Sequence, residues 1–124
     1  MDDSARKRNA HAIAQGLVDL KLGGLADLTP LNTRVDGIIC VNVIQFLGEY
    51  QAVLSVFLKA LKAGGRVAIA YQPRHRGAVR ADALKTGQEI EAALSGLAFE
   101  AIHLHELALK PVPCICVTAS REVE

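Results

Sequence analysis

Hydrophobic and polar positions follow two different periods along the chain, and the switches between them predict its elements. Tyr50, Val53, Leu54, Phe57, Leu58 and Leu61 recur at the spacing of one helical face, opposite Glu49, Ser55, Lys59 and Lys62. A helix is therefore predicted over 50–61, ending at Gly64-Gly65, where a residue without Cβ can take positive φ. On either side of it, VDGIICV (Val35 to Val41) and RVAIAY (Arg66 to Tyr71) are near-continuous apolar runs, as expected for strands covered on both faces. A second helical pattern from Ala81 to Leu94 places Leu84, Gly87, Ile90 and Leu94 inward and Lys85, Gln88, Glu89 and Glu91 outward, and stops at Gly96. Phe99 to Leu107 alternates with period two, and Cys114 to Ala119 is apolar and β-branched. The KPVP between them makes a rigid connector suited to a hairpin.

Ahead of these elements, Asp2, Asp3 and Ser4 can cap a helix whose one-sided pattern is weak: Ala5, Ala12 and Ile13 against Arg6, Lys7 and Arg8. Gly16 closes it, and Leu17 to Leu22 reads as a short strand. Helices alternating with apolar strands predict an open α/β sheet.

Composition changes this picture little. A chain of 124 residues is expected to form one domain with a real core, and 51% apolar against 22% charged residues fits a soluble, globular protein. The formal charge is +1 and there is no basic run interleaved with aromatics, so nothing points to nucleic acid. Asp36, Asn42, Gln45 and Arg66 interrupt the longest apolar stretches, so no membrane helix is expected, and the basic N-terminus lacks a signal-peptide core. Three cysteines fit a reducing compartment, and a cytoplasmic location is expected.

LKAGGRVAIA, a helix end followed by paired glycines and a strand, resembles the corresponding turn of class I S-adenosylmethionine-dependent methyltransferases. VDGIICVNVIQFLGEYQAVLSVFLKALKAGGRVAIAYQP resembles that family's fourth strand, the following loop and helix, and its fifth strand. VDLKLGGLADL resembles the third strand with its loop, and the segment around KPVPCICV the sixth and seventh strands. The resemblance implies an incomplete Rossmann-like methyltransferase sheet, mostly parallel with an antiparallel terminal hairpin, in a single truncated domain over 1–124. Met1, Ala5, Arg8 and Asn9 then fall inside the helix after the family's second strand. The first strand with its glycine-rich loop and the acidic end of the second are expected to be missing; Asp2 and Asp3 sit too late to replace that acid. Gly24 stands where many members carry an acidic residue at the adenine, and Asp27 is out of register.

Ligands of open α/β sheets sit beyond the carboxyl ends of strands, which singles out two groups of residues. Gly23, Gly24, Leu25, Asn42 and Val43 are the candidate cofactor-binding positions, and Gln45, Phe46, Tyr71 and Gln72 the candidate substrate positions; no catalytic residue is assigned. Asn42 can orient a ligand or satisfy local backbone groups. Gln45 and Phe46 serve equally as an anchor for the next helix, and Tyr71 as packing. His103 with His105, and Cys114 with Cys116, share strand faces but lack further ligands of metal-site spacing, so no metal is expected. PRHRGAVR, Pro73 to Arg80, reads as a solvated loop or as a place to meet an acidic substrate. No Ser/His/Asp order, phosphate loop or carboxylate pair suggests hydrolase or kinase chemistry.

The expected function is that of an S-adenosylmethionine-dependent methyltransferase-related protein without activity as the isolated chain, binding the cofactor weakly or not at all. The alternative is a non-catalytic, self-associating module derived from such an enzyme. Losing two strands leaves VDGIICV with a bare edge in what should be mid-sheet, to be covered by Val18 to Leu22, by a second copy or by a missing amino-terminal half.

Overall fold

The computed structural model describes residues 2–25 and 34–123. Two short helices, α1 (Asp2–Arg8) and α2 (Ala10–Ala14), come first, then strand β1 (Val35–Val41), a 3-10 turn (Ile44–Phe46) and helix α3 (Tyr50–Ala60). Strand β2 (Leu61–Tyr71), helix α4 (Arg80–Ser95) and strands β3 (Phe99–Leu107) and β4 (Cys114–Arg121) follow. The strands form one open sheet in the order β1-β2-β4-β3. β1 and β2 are parallel, connected through α3, while β4 runs antiparallel to both β2 and β3, so that β3 and β4 make the terminal hairpin.

Helices α3 and α4 pack against each other and against one face of this sheet. Facing them across the strands are Cys40 on β1, Ile69 on β2, Val117 on β4 and Leu104 on β3, which stand in register in one row. Val53, Leu54 and Phe57 of α3 and Ala83, Ile90 and Leu94 of α4 close the core from above. Each of the six residues assigned to the α3 face is buried or packed against this core.

The α3–β2 turn is tighter than a helix, loop and strand in succession. Helix α3 stops at Ala60, one residue short of the expected end, because Leu61 is already extended. The Arg121 guanidinium donates to the Leu58 and Leu61 carbonyl oxygens, 2.6 and 2.8 Å away, satisfying backbone at the helix end. Between the register pairs Val35↔Leu61 and Gly37↔Arg66 the chain of β2 bulges, so the regular ladder begins at Arg66 as the sequence pattern predicts. The paired glycines make that bulge possible. Gly64 has φ +76, and a Cβ on Gly65 would lie 2.8 Å from the Lys62 carbonyl oxygen and 3.1 Å from that of Asp36.

At the amino terminus the structure departs from the sequence reading twice. The helix is interrupted at Asn9, whose side-chain amide donates to the Ala5 carbonyl oxygen at 2.8 Å. It still ends at Gly16: the Leu17 N–H bonds to Ala12 O and the Gly16 N–H to Ile13 O, closing a left-handed turn. The strand expected over Leu17 to Leu22 is absent. The segment pairs with none of the described strands and Leu22 is 87% exposed; a β-branched or leucine-rich run becomes a strand only against a neighbour, and here it has none. The expected closure of the sheet by Val18 to Leu22 therefore does not occur among the described residues. Asp27 lies outside them.

The second face of the sheet carries none of the described helices. Its rows are Ile39, Ala68, Thr118 and His103, and next to them Val41, Ala70, Cys116 and His105. Ile39 is 80% and Val41 57% exposed, and among the described strands β1 is paired along one edge, with β2.

Candidate functional site

The carboxyl ends of the parallel strands β1 and β2 meet at Asn42 and Gln72. Asn42 takes φ +54, a left-handed conformation that Asn tolerates better than most residues, and its N–H still bonds to Ala70 O at 2.9 Å. This turn swings the Asn42 side chain across to the neighbouring strand, where Oδ1 accepts the Gln72 N–H at 2.7 Å. The Gln72 side chain in turn donates to the Val112 carbonyl oxygen at 2.8 Å, tying the end of β2 to the β3–β4 connector. Ile44, fully buried, pins the 3-10 turn, and Gln45 donates to the Asn42 carbonyl oxygen at 3.1 Å. Phe46 is left 80% exposed.

These residues enclose an open cavity of about 310 Å³ lined by Asn42, Gln45, Phe46, Tyr71, Gln72, Arg74 and His75. It gathers Asn42 with all four substrate candidates. Val43 sits beside it at the entry to the 3-10 turn but does not line it. Gly23 and Gly24 are exposed in the segment after α2, and Leu25 packs against the core, so these three contribute nothing to the cavity. Arg74 and His75, by contrast, were not among the positions singled out by strand-end reasoning. The available signal is that they follow Gln72 directly, in the cationic loop leaving the same strand end.

Among the described residues no carboxylate lines the cavity. His75 Nε2 lies 3.5 Å from Asp82 Oδ2, the oxygen that also accepts the Val79 N–H at the start of α4. Burial pushes the Cys40 and Cys116 thiols up, and burial together with Glu89 and Tyr71 pushes the Tyr50 hydroxyl up. Glu106 is held below the usual carboxylate range by its hydrogen bonds from Arg80, 2.7 and 2.8 Å long. The cavity is thus equipped to bind and orient, with hydrogen-bonding groups and two aromatic rings from Phe46 and Tyr71.

His105 Nε2 lies 3.1 Å from Thr118 Oγ1, and among the described residues no three His, Cys, Asp or Glu side chains cluster as metal ligands would. A larger concavity, about 650 Å³, is the saddle of the uncovered sheet face around Ile39, Ala68, His103 and Thr118. No described helix is long and apolar enough to cross a membrane.

No family model and no curated protein matches the sequence. Solved structures do. Magnesium protoporphyrin IX methyltransferase (ChlM) from Synechocystis PCC 6803 with bound SAM aligns with a TM-score of 0.63 at 16% identity, over 98% of this chain and 55% of its own. An O-methyltransferase family protein from Burkholderia thailandensis aligns with a TM-score of 0.61 at 14% identity, over 98% of this chain and 41% of its own. Precorrin 8w decarboxylase from Methanobacterium thermoautotrophicum gives 0.54 at 18% identity, over 94% and 62%. The chain has the fold of class I S-adenosylmethionine-dependent methyltransferases and spans about half the length of the structures it resembles. The decarboxylase among them is a reminder that this fold alone does not fix a reaction.

Proposed function

We propose that the chain is the carboxyl-terminal part of a methyltransferase-type site, which by itself binds S-adenosylmethionine weakly or not at all and transfers no methyl group. The observation that carries this reading is the pairing of a nearly complete match on this chain's side with about half coverage of the ChlM chain. The carboxyl end of β1 carries the Asn42 turn, and its outer edge pairs with none of the described strands. The described residues do not fit the whole cofactor. We read Asn42, with Val43 beside it, as meeting one end of it, but among the described residues no carboxylate lines the cavity for ribose hydroxyls, and Gly23, Gly24 and Leu25 lie away from it. Each absent charge-assisted contact is worth roughly 1.5 to 3 kcal/mol. Methyl transfer depends largely on holding donor and acceptor in line, so half a site is not half an enzyme.

A second reading, a non-catalytic module that self-associates, is favoured by the alternate exposed residues Ile39, Val41 and Val43 along the bare strand and its exit. Either a second copy in a homodimer or an amino-terminal half would cover them. With net charge +1, neither self-repulsion nor attraction to nucleic acid opposes this. The three free thiols favour a reducing compartment, and the cytoplasm is our reading. Calorimetry of the isolated chain with S-adenosylmethionine tests the first reading. No measurable heat is expected, and a micromolar dissociation constant would overturn it by showing that another arrangement rebuilds the site.

A further inference from the structure

The cavity at the ends of β1 and β2 has a one-sided balance of charge. His75 has Asp82 nearby, whereas among the described residues the Arg74 guanidinium meets no carboxylate and no Asp or Glu lines the cavity wall. Asn42 has its carbonyl oxygen committed to the Gln72 N–H, which leaves its amide N–H groups as the polar function still available. The Gln72 side-chain amide is bonded to the β3–β4 connector and the Gln45 amide to Asn42 O. Those bonds use donors and leave the two Gln side-chain oxygens as acceptors, so what distinguishes the cavity is its charge: the positive Arg74 guanidinium, with the Asn42 amide N–H groups and the exposed Phe46 ring on the same wall. An exposed phenylalanine next to an unpaired guanidinium suits a flat apolar body that carries an anion, and a planar fork of N–H donors suits a carboxylate. At about 310 Å³ the space holds a single ring system.

We infer that this cavity binds an aromatic carboxylate, with the ring against Phe46 and the carboxylate on Arg74. That the bound acid is the methyl acceptor rests on the function proposed above; its binding does not.

The test is an NMR titration of the whole chain at low salt with 4-hydroxybenzoate, its neutral counterpart 4-hydroxybenzamide, and phenyl phosphate. The acid is expected to perturb Asn42, Phe46 and Gln72 amides and to bind about 5- to 10-fold tighter than the amide, a modest ratio because Arg74 is exposed to solvent screening. Arg74→Gln should remove that ratio while leaving the amide's affinity unchanged, and Phe46→Ala should weaken both ligands. Equal affinity for acid and amide, a ratio that survives Arg74→Gln, or perturbations located elsewhere would each overturn the inference. Phenyl phosphate binding more tightly than 4-hydroxybenzoate would overturn the carboxylate assignment. The titration uses no S-adenosylmethionine, so its failure and a failure of the methyltransferase reading register in different experiments.

Discussion

Val67 and Ala68 are consecutive residues of one strand, yet they belong to differently finished halves of the molecule. Val67 points beneath α3 and α4 into a packed core, in a row with Ile38 and Ala119. Ala68 stands on the opposite face beside Ile39 and Thr118, where small side chains and one large exposed apolar residue lie open. Among the described residues the same strands are thus closed on one side and uncovered on the other, although VDGIICV and VAIAY are apolar on both. A strand written as VDGIICV expects cover on two faces and two edges. Among the described residues it has one of each.

The comparison predicts large penalties on the closed side and small ones on the open side. Phe57→Ala, which removes a ring 3% exposed from the middle of α3, should lower unfolding stability by about 3 to 5 kcal/mol in urea titration. Stability equal to the parent would take α3 out of the core. Gly65→Ala comes next: its Cβ would press on two backbone carbonyl oxygens that cannot swing away, and a loss of about 1 to 3 kcal/mol is expected in the same assay. Ile39→Ser on the open face should leave the monomer within about 0.5 kcal/mol of the parent, since the residue is already in water. A loss comparable to Phe57→Ala would mean that this face is covered within the monomer.

The smallest effect is at the surface ion pair joining α4 to β3. Arg80 holds Glu106 below its ordinary value of 4.5, so the native state favours the carboxylate. The pair's contribution is present above that value and disappears as pH falls through the lowered one. Glu106→Gln should therefore show a slightly lower unfolding midpoint than the parent at neutral pH, and no difference once the pH is well below 4.5. A gap that widens on acidification would contradict the sign.

The closed half was largely legible in the sequence because helix and strand periods there report real packing. The face of α3, the start of the β2 ladder at Arg66 and the β3–β4 hairpin follow from spacing and from glycine and proline positions alone. The amino terminus was not. Val18 to Leu22 has the composition of a strand, but pairing is a property of two segments, and composition describes one. At the site, Asn42 was visible as a polar residue at a strand end. Its link to Gln72 depends on a positive φ and on register with β2, and neither is written locally. Arg74 and His75 were visible only within PRHRGAVR, left open between a solvated loop and a place to meet an acidic substrate, because a cationic loop after a strand has the same composition whether it lines a cavity or faces solvent.

We propose that the edge of β1 left unpaired among the described strands, with the face behind it, is an interface between copies of the chain. Sedimentation velocity of the purified chain across a range of micromolar concentrations tests it most directly, run beside the double variant Ile39→Ser/Val41→Ser. A mass above the monomer that rises with concentration is expected for the parent, and for the variant a monomer that still unfolds cooperatively, at a midpoint that does not move with concentration. A parent that sediments as a single monomeric species at every concentration would contradict it.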